Sequence, residues 1–310
     1  MNRGIGRGPA GTGGGRAGAS QAGGRATFGQ RLAAAMDAHG PLCVGIDPHP
    51  ELLARWGIAD DLDGLRRFAL TTLEALEGRV AALKPQSALF ERHGSRGIAA
   101  LEEVIAGARD TGTLCILDAK RGDIGSTMAG YASAYLADGS PLAADAVTLS
   151  PYLGFESLAP ALDLAGQTGR GVFVLALTSN AEGPALQHAR TETGTVAGDI
   201  ARQAGARNAR ELNVRPAAEF GSTGLVVGAT IGDAPRRLDL DLSQVRGPFL
   251  APGVGAQGAG PAELADVFGD ARRAVLASSS RGILAAGPEL GALRSAADRA
   301  VEETARALDR

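Results

Sequence analysis

The stretch Leu114-Cys115-Ile116-Leu117-Asp118-Ala119-Lys120-Arg121-Gly122-Asp123-Ile124-Gly125-Ser126-Thr127 decides how this chain folds. Its first four residues form an uninterrupted apolar run, the pattern of a strand buried on both faces in a parallel sheet. Residues two apart on a strand project to the same side, so Asp118 and Lys120 are expected to point together into one cavity. Asp123 follows beyond a turn at Gly122. A solvated loop of mixed charge has the same composition. Clustered ions at the end of a buried strand, however, carry a heavy desolvation cost unless they compensate one another, and chemistry is the usual reason for bearing it.

Outward from that strand, short apolar and often β-branched runs recur at residues 42–47, 80–85, 114–120, 146–152, 172–180, 225–230, 249–255 and 274–280. Between them lie Ala-, Leu-, Arg- and Glu-rich segments with helical periodicity, among them 65–76, 98–109, 158–165 and 195–209. This is the alternation of parallel βα units, and about eight of them in one chain of this size indicate an α/β fold of the (β/α)₈ TIM-barrel type. Polar or glycine residues collect at the C-terminal ends of the runs: Asp47, Lys84, Asp118 with Lys120, Ser179, the Gly253/Gly255 loop and Arg281. In a barrel those ends converge on the face where active sites are built. No linker is visible between Thr27 and Leu284, and the interval 233–247 reads as a loop with short helical content.

Residues 1–26 consist mainly of Gly, Ala, Arg and Ser with almost no large apolar side chain, so they are expected to form a disordered tail ahead of a barrel domain at 27–310. Thr27 can cap a first helix carrying Phe28, Leu32, Ala35 and Met36 on one side. A net charge of −3 and an aromatic content of 4% give no footprint for nucleic acid. No apolar run approaches the roughly 20 residues that span a bilayer, and the N-terminus lacks the apolar core of a signal peptide, so a cytoplasmic protein with no membrane partner is expected. Cys43 and Cys115 sit inside apolar runs and read as buried free thiols. The four histidines, His39, His49, His93 and His188, are scattered, and no metal-type spacing occurs.

Five motifs in order, Gly45-Ile46-Asp47-Pro48-His49-Pro50, Lys84-Pro85-Gln86-Ser87-Ala88, Asp118 to Thr127, Leu177-Thr178-Ser179-Asn180 and Ala251-Pro252-Gly253-Val254-Gly255-Ala256-Gln257-Gly258, resemble the orotidine 5′-phosphate decarboxylase family, in its longer bacterial branch. The resemblance runs from about Phe28 to Gly287. It implies a homodimeric barrel that converts orotidine 5′-monophosphate to UMP and carbon dioxide with no metal or organic cofactor. It further implies an alternating Lys84, Asp118, Lys120, Asp123 array, with Asp123 reaching into the active site of the other subunit. Asp47 is then expected to meet a ribose hydroxyl and to orient Lys84; Ile124 and Thr127 are expected at the ribose from the partner chain, Ser179 at the pyrimidine edge, Gln257 between base and phosphate, and Arg281 at the phosphate.

The residue chemistry is consistent with those expectations. Loss of carbon dioxide leaves charge on a ring carbon with no adjacent carbonyl, so a fixed cation that can also deliver a proton is needed, and Lys120 is the candidate. Asp118 would hold that lysine and favour its charged form. Loops after the seventh and eighth strands of a barrel, with a helix N-terminus, are the usual phosphate site. Taken alone, Lys84 reads better as a snorkelling lysine, while Asp47 also reads as a turn former before Pro48, Ser179 as a turn serine, and Ser126 or Thr127 as a helix cap. Two other functions share the pattern. One is a Mg²⁺-dependent sugar-phosphate decarboxylase or aldolase of the same suprafamily, which needs a metal-binding carboxylate near Lys84; the other is a non-catalytic phosphate-binding barrel.

Overall fold

The computed structural model describes Met1, residues 25–254 and residues 258–309. Eight parallel strands close into a barrel: β1 (Leu42–Ile46), β2 (Ala82–Pro85), β3 (Leu114–Arg121), β4 (Ala146–Leu149), β5 (Gly171–Leu177), β6 (Thr223–Val227), β7 (Phe249–Pro252) and β8 (Val275–Ser279). Each pairs with the next, and β8 returns to β1 through the register Leu42 to Ala277. The main helices are α1 (Phe28–His39), α2 (Leu62–Leu76), α3 (Gly94–Thr111), α4 (Gly125–Leu136), α5 (Ala159–Thr168), α6 (Val196–Val214), α7 (Pro261–Phe268) and α8 (Leu290–Ala307).

The strands read as continuous apolar runs because both of their faces are buried. Cys43, Ala82, Ile116, Ala146, Phe173, Val226, Leu250 and Leu276 fill the barrel interior. Their neighbours Val44, Leu83, Leu117, Val147, Val174, Leu225, Ala251 and Ala277 belong to the cluster packed against the helices. This is the period of two expected of a strand.

One end of the barrel is sealed by α1. Thr27 caps its start, as the sequence suggests, and Gln30 completes a reciprocal capping box with it. Phe28, Leu32, Ala33 and Met36 are buried against the interior cluster, and Phe28 meets Phe173 edge-on at 5.8 Å. Gly171 allows this approach, since a Cβ there would lie 2.1 Å from the Phe28 ring. A cavity of about 760 Å³ runs beneath α1. Two cations there hold the plug in place: half-buried Arg31 pairs with Asp145 and the Gly169 carbonyl, while buried Arg170 binds the Ala144 and Leu136 carbonyls and Asp138.

Several strands are shorter at their C-terminal ends than the apolar runs suggest. At β4 the ladder ends with the Ser150 N–H donating to the Arg121 carbonyl at 2.8 Å, and Pro151 has no N–H to continue it. Residues beyond the strand ends thereby become loops facing the open end. The interval 233–247 holds a short helix, Ala234–Arg237, and a 3₁₀ turn, Leu242–Val245, as expected. A hairpin of Arg190–Thr191 with Gly194–Thr195 was not evident from composition. Most of the expected tail, residues 2–24, lies outside the described residues; Arg25 pairs with Asp138 at 3.1 Å. Both cysteines are free and buried.

Candidate active site

At the open end, a cavity of about 870 Å³ is lined by Asp47, Lys84, Asp118, Lys120, Ser179 and Arg281, each at or just beyond a strand end. Asp118 is its centre. The Asp118 Oδ2 accepts from Lys84 Nζ at 2.8 Å, and Oδ1 accepts from Lys120 Nζ at 2.6 Å and from Thr148 Oγ1 at 2.8 Å. The Lys84 side chain is 8% exposed and that of Lys120 44%, so Lys120 presents its ammonium to the cavity while Lys84 stays behind the carboxylate.

Charge compensation decides the protonation states here. Burial would raise Asp118, but Lys84 and Lys120 outweigh it and hold the carboxyl at about 2. Burial would likewise lower Lys84, yet Asp118 and then Asp47 lift it to about 12. One layer below, burial pushes the Cys43 thiol up to about 12, against a smaller opposing effect of Lys84, so it stays neutral.

The meeting of Asp118 and Lys120 is not made by a regular strand. The β3–β4 register runs from Leu117 opposite Val147 directly to Arg121 opposite Leu149, leaving residues 118–120 facing Thr148 alone. Lys120 takes φ +48°, a left-handed conformation that costs about 1–3 kcal/mol for a residue with a side chain. Its displaced N–H donates to Thr148 Oγ1 at 3.0 Å. Beyond the bulge, Arg121 pairs with Glu91, donates to the Ala119 carbonyl at 2.8 Å, and lies 5.9 Å from the Tyr131 ring centroid. Gly122 packs on the next loop so closely that a Cβ would sit 2.2 Å from the Ser150 carbonyl oxygen.

Ser280 Oγ donates to Asp47 Oδ2 at 2.5 Å, whereas Asp47 Oδ1 is buried without a hydrogen-bond partner among the described residues. That orphaned acceptor suits a hydroxyl entering the cavity. Arg281 is exposed and has no carboxylate partner among the described residues. It opens a helix of only four residues, Arg281–Leu284, so the expected helix-end contribution to anion binding shrinks and the guanidinium takes the larger share. Gln257 lies outside the described residues, though Gly253 and Gly258 on either side line the cavity. His49 also lines it.

Asp123, Ile124 and Thr127 are not brought into this cavity. Asp123 Oδ1 accepts the Ile124 N–H at 2.8 Å, Ile124 is 61% exposed, and Thr127 is exposed on the first turn of α4. Because α4 begins at Gly125, Ser126 and Thr127 lie inside the helix and do not cap it. Sequence reading missed Thr148 and, although Ser280 falls in the loop expected at the phosphate, its bond to Asp47, since a hydroxyl residue in or after an apolar strand carries no distinctive signal. Among the described residues, no cluster of His, Cys, Asp or Glu could hold a metal ion, and no helix is long and apolar enough to cross a membrane.

The model of the orotidine 5′-phosphate decarboxylase / HUMPS family matches residues 40–296. Orotidine 5′-phosphate decarboxylase of Salinispora arenicola is 58% identical over 283 residues, covering 91% of this chain and 98% of the relative. That of Streptomyces coelicolor is 57% identical over 274 residues, covering 88% and 95%. A crystal structure from Streptomyces avermitilis superposes with a TM-score of 0.86 at 55% identity, covering 92% of this chain and 97% of the other. The OMP decarboxylase of Leishmania donovani gives a TM-score of 0.71 at 30% identity, covering 92% and 99%. The barrel, the ordered strand-end motifs and this extent of identity agree: the chain belongs to the orotidine 5′-phosphate decarboxylase / HUMPS family.

Proposed function

We propose that this chain decarboxylates orotidine 5′-monophosphate to UMP and carbon dioxide, the last step of de novo UMP synthesis, with no metal and no organic cofactor. The observation that carries the reading is the Lys120 ammonium, gripped by Asp118 at 2.6 Å and still 44% exposed to the cavity. As the bond from C6 to the carboxylate breaks, its electron pair stays on C6 and carbon dioxide leaves. Lys120 stabilises that charge and transfers a proton to C6, then recovers one from water. Its position is fixed before the reaction, so little reorganisation is needed.

Asp118 keeps its charge because two ammoniums flank it, and Lys84 offsets the cost of burying it. Asp47 Oδ1 takes a ribose hydroxyl, Ser179 the pyrimidine edge, Arg281 the phosphate, and Gln257 bridges base and phosphate. Asp123, Ile124 and Thr127 act on the site of a partner subunit in a homodimer. Support comes from their place outside their own cavity and from the apolar side chains beside them: Ile124, Tyr152 at 74% exposure and Leu153 at 53%. Their two loops run side by side, joined by the Ser150 to Arg121 hydrogen bond. The catalytic unit is the barrel of residues 27–310, with the 1–26 tail outside it, working in the cytoplasm.

The Mg²⁺-dependent reading has less support, because a divalent ion approaching Asp118 would meet two ammoniums already bound to it. The decisive measurement follows orotate absorbance with orotidine 5′-monophosphate and EDTA present, beside the Lys120→Ala variant. Rapid loss in the wild type and none in the folded variant is expected. Activity that requires added Mg²⁺, or an inert wild-type protein, overturns the proposal.

A further inference from the structure

The geometry points to Thr148 as a positioning residue whose hydroxyl fixes both the backbone and the ammonium of Lys120. This rests on the decarboxylase reading above. Thr148 is completely buried and does not line the cavity, so it meets no substrate. Its Oγ1 accepts the Lys120 N–H at 3.0 Å and donates to Asp118 Oδ1 at 2.8 Å, and that same oxygen accepts the Lys120 Nζ at 2.6 Å. The three bonds close a ring in which both ends of Lys120 are tied to one hydroxyl and one carboxylate.

The bulge accounts for the need for a side chain at this point. Residues 118–120 face a single residue of β4, so the Lys120 N–H has lost its ladder partner, and a buried N–H left unpaired is costly. A threonine hydroxyl has one proton to donate and lone pairs to accept with, and here it uses both capacities. Valine has the same shape and can do neither. Without the hydroxyl, the left-handed Lys120 loses the bond that holds its N–H, and Asp118 loses one of the three donors that orient its Oδ1 and Oδ2. The ammonium then shifts relative to C6, and small displacements of a reacting group are expensive in rate.

The test compares wild type, Thr148→Val and Thr148→Ser for kcat and KM on orotidine 5′-monophosphate, affinity for UMP, and thermal midpoint. Thr148→Val is expected to lose about 10- to 100-fold in kcat with KM and UMP affinity within about twofold, because the phosphate and ribose contacts are untouched. Thr148→Ser, which restores the hydroxyl, is expected to recover kcat to within about threefold of wild type. If Thr148→Val does not fold, Thr148→Ala, which cannot overpack the site, is read against Thr148→Ser in the same way. Full kcat in the hydroxyl-free variant, even with a lowered thermal midpoint, overturns the inference, as does a serine variant as slow as valine. A wild-type protein inert toward this substrate overturns the decarboxylase reading instead.

Discussion

Asp118 lies 7% exposed between two lysines, and its charge state governs how the site responds to pH. Its carboxyl is held at about 2, below its ordinary value of 3.8, so the folded state releases its proton more readily than the unfolded chain. The stability this contributes is present above pH 3.8 and is lost as pH falls toward 2, amounting to about 2 kcal/mol. Lys84 has the opposite sign: raised to about 12 from 10.5, it contributes below pH 10.5 and loses that contribution above 12. Urea titrations of wild type and Asp118→Asn should therefore show a stability gap that is level from pH 5 to 9 and narrows on acidification below about 4. A gap that does not change with pH would refute this compensation. Lys84 and Asp47, which taken alone also read as a snorkelling lysine and a turn former, were assigned through the family resemblance, whereas Asp118 and Lys120 were legible in the sequence because ions at the end of an apolar strand are costly to bury and are seldom kept there without a chemical role. Thr148 and the bond from Ser280 to Asp47 were not, because threonine suits a strand and serine suits a turn with or without a function.

At the level of elements, the alternation of runs located the strands, and the Thr27 cap located the start of α1. What remained hidden was where each strand stops and whether it stays regular. The runs read from the sequence extend through 150–152 and 178–180, but these residues are mostly polar and the strands stop at Leu149 and Leu177, and it is the missing ladder that turns Ser179 into a cavity residue. The β3 bulge is likewise invisible to a period-two reading, which reaches the correct pairing of Asp118 with Lys120 without the left-handed turn that produces it. The part played by α1 follows from its contacts: Phe28 is fully buried and fills the end of the barrel against Phe173. Phe28→Ala should cost about 3–5 kcal/mol by equilibrium unfolding while leaving KM little changed, because the plug is at the end opposite the site. A loss below about 1 kcal/mol would mean that α1 is not part of the cooperative core.

The whole barrel has one sealed end and one open end, and the open end holds only part of the proposed charge array. Lys84, Asp118 and Lys120 share a cavity within one chain, whereas Asp123 sits on the rim, its Oδ1 occupied by the Ile124 N–H, beside a set of exposed apolar side chains. An isologous dimer through that rim would place each Asp123 against the other subunit's site, since in a two-fold interface every contact occurs twice. Complementation distinguishes this from a role within the same chain. Lys120→Ala and Asp123→Asn homodimers should each be nearly inactive, for one lacks the proposed proton donor and the other the proposed fourth member of the array. Mixed and allowed to exchange subunits in equal amounts, half of the dimers become hybrids, each with one complete site, so activity should return to about a quarter of wild type. If Asp123 served its own chain, no hybrid would contain a complete site and mixing would restore nothing.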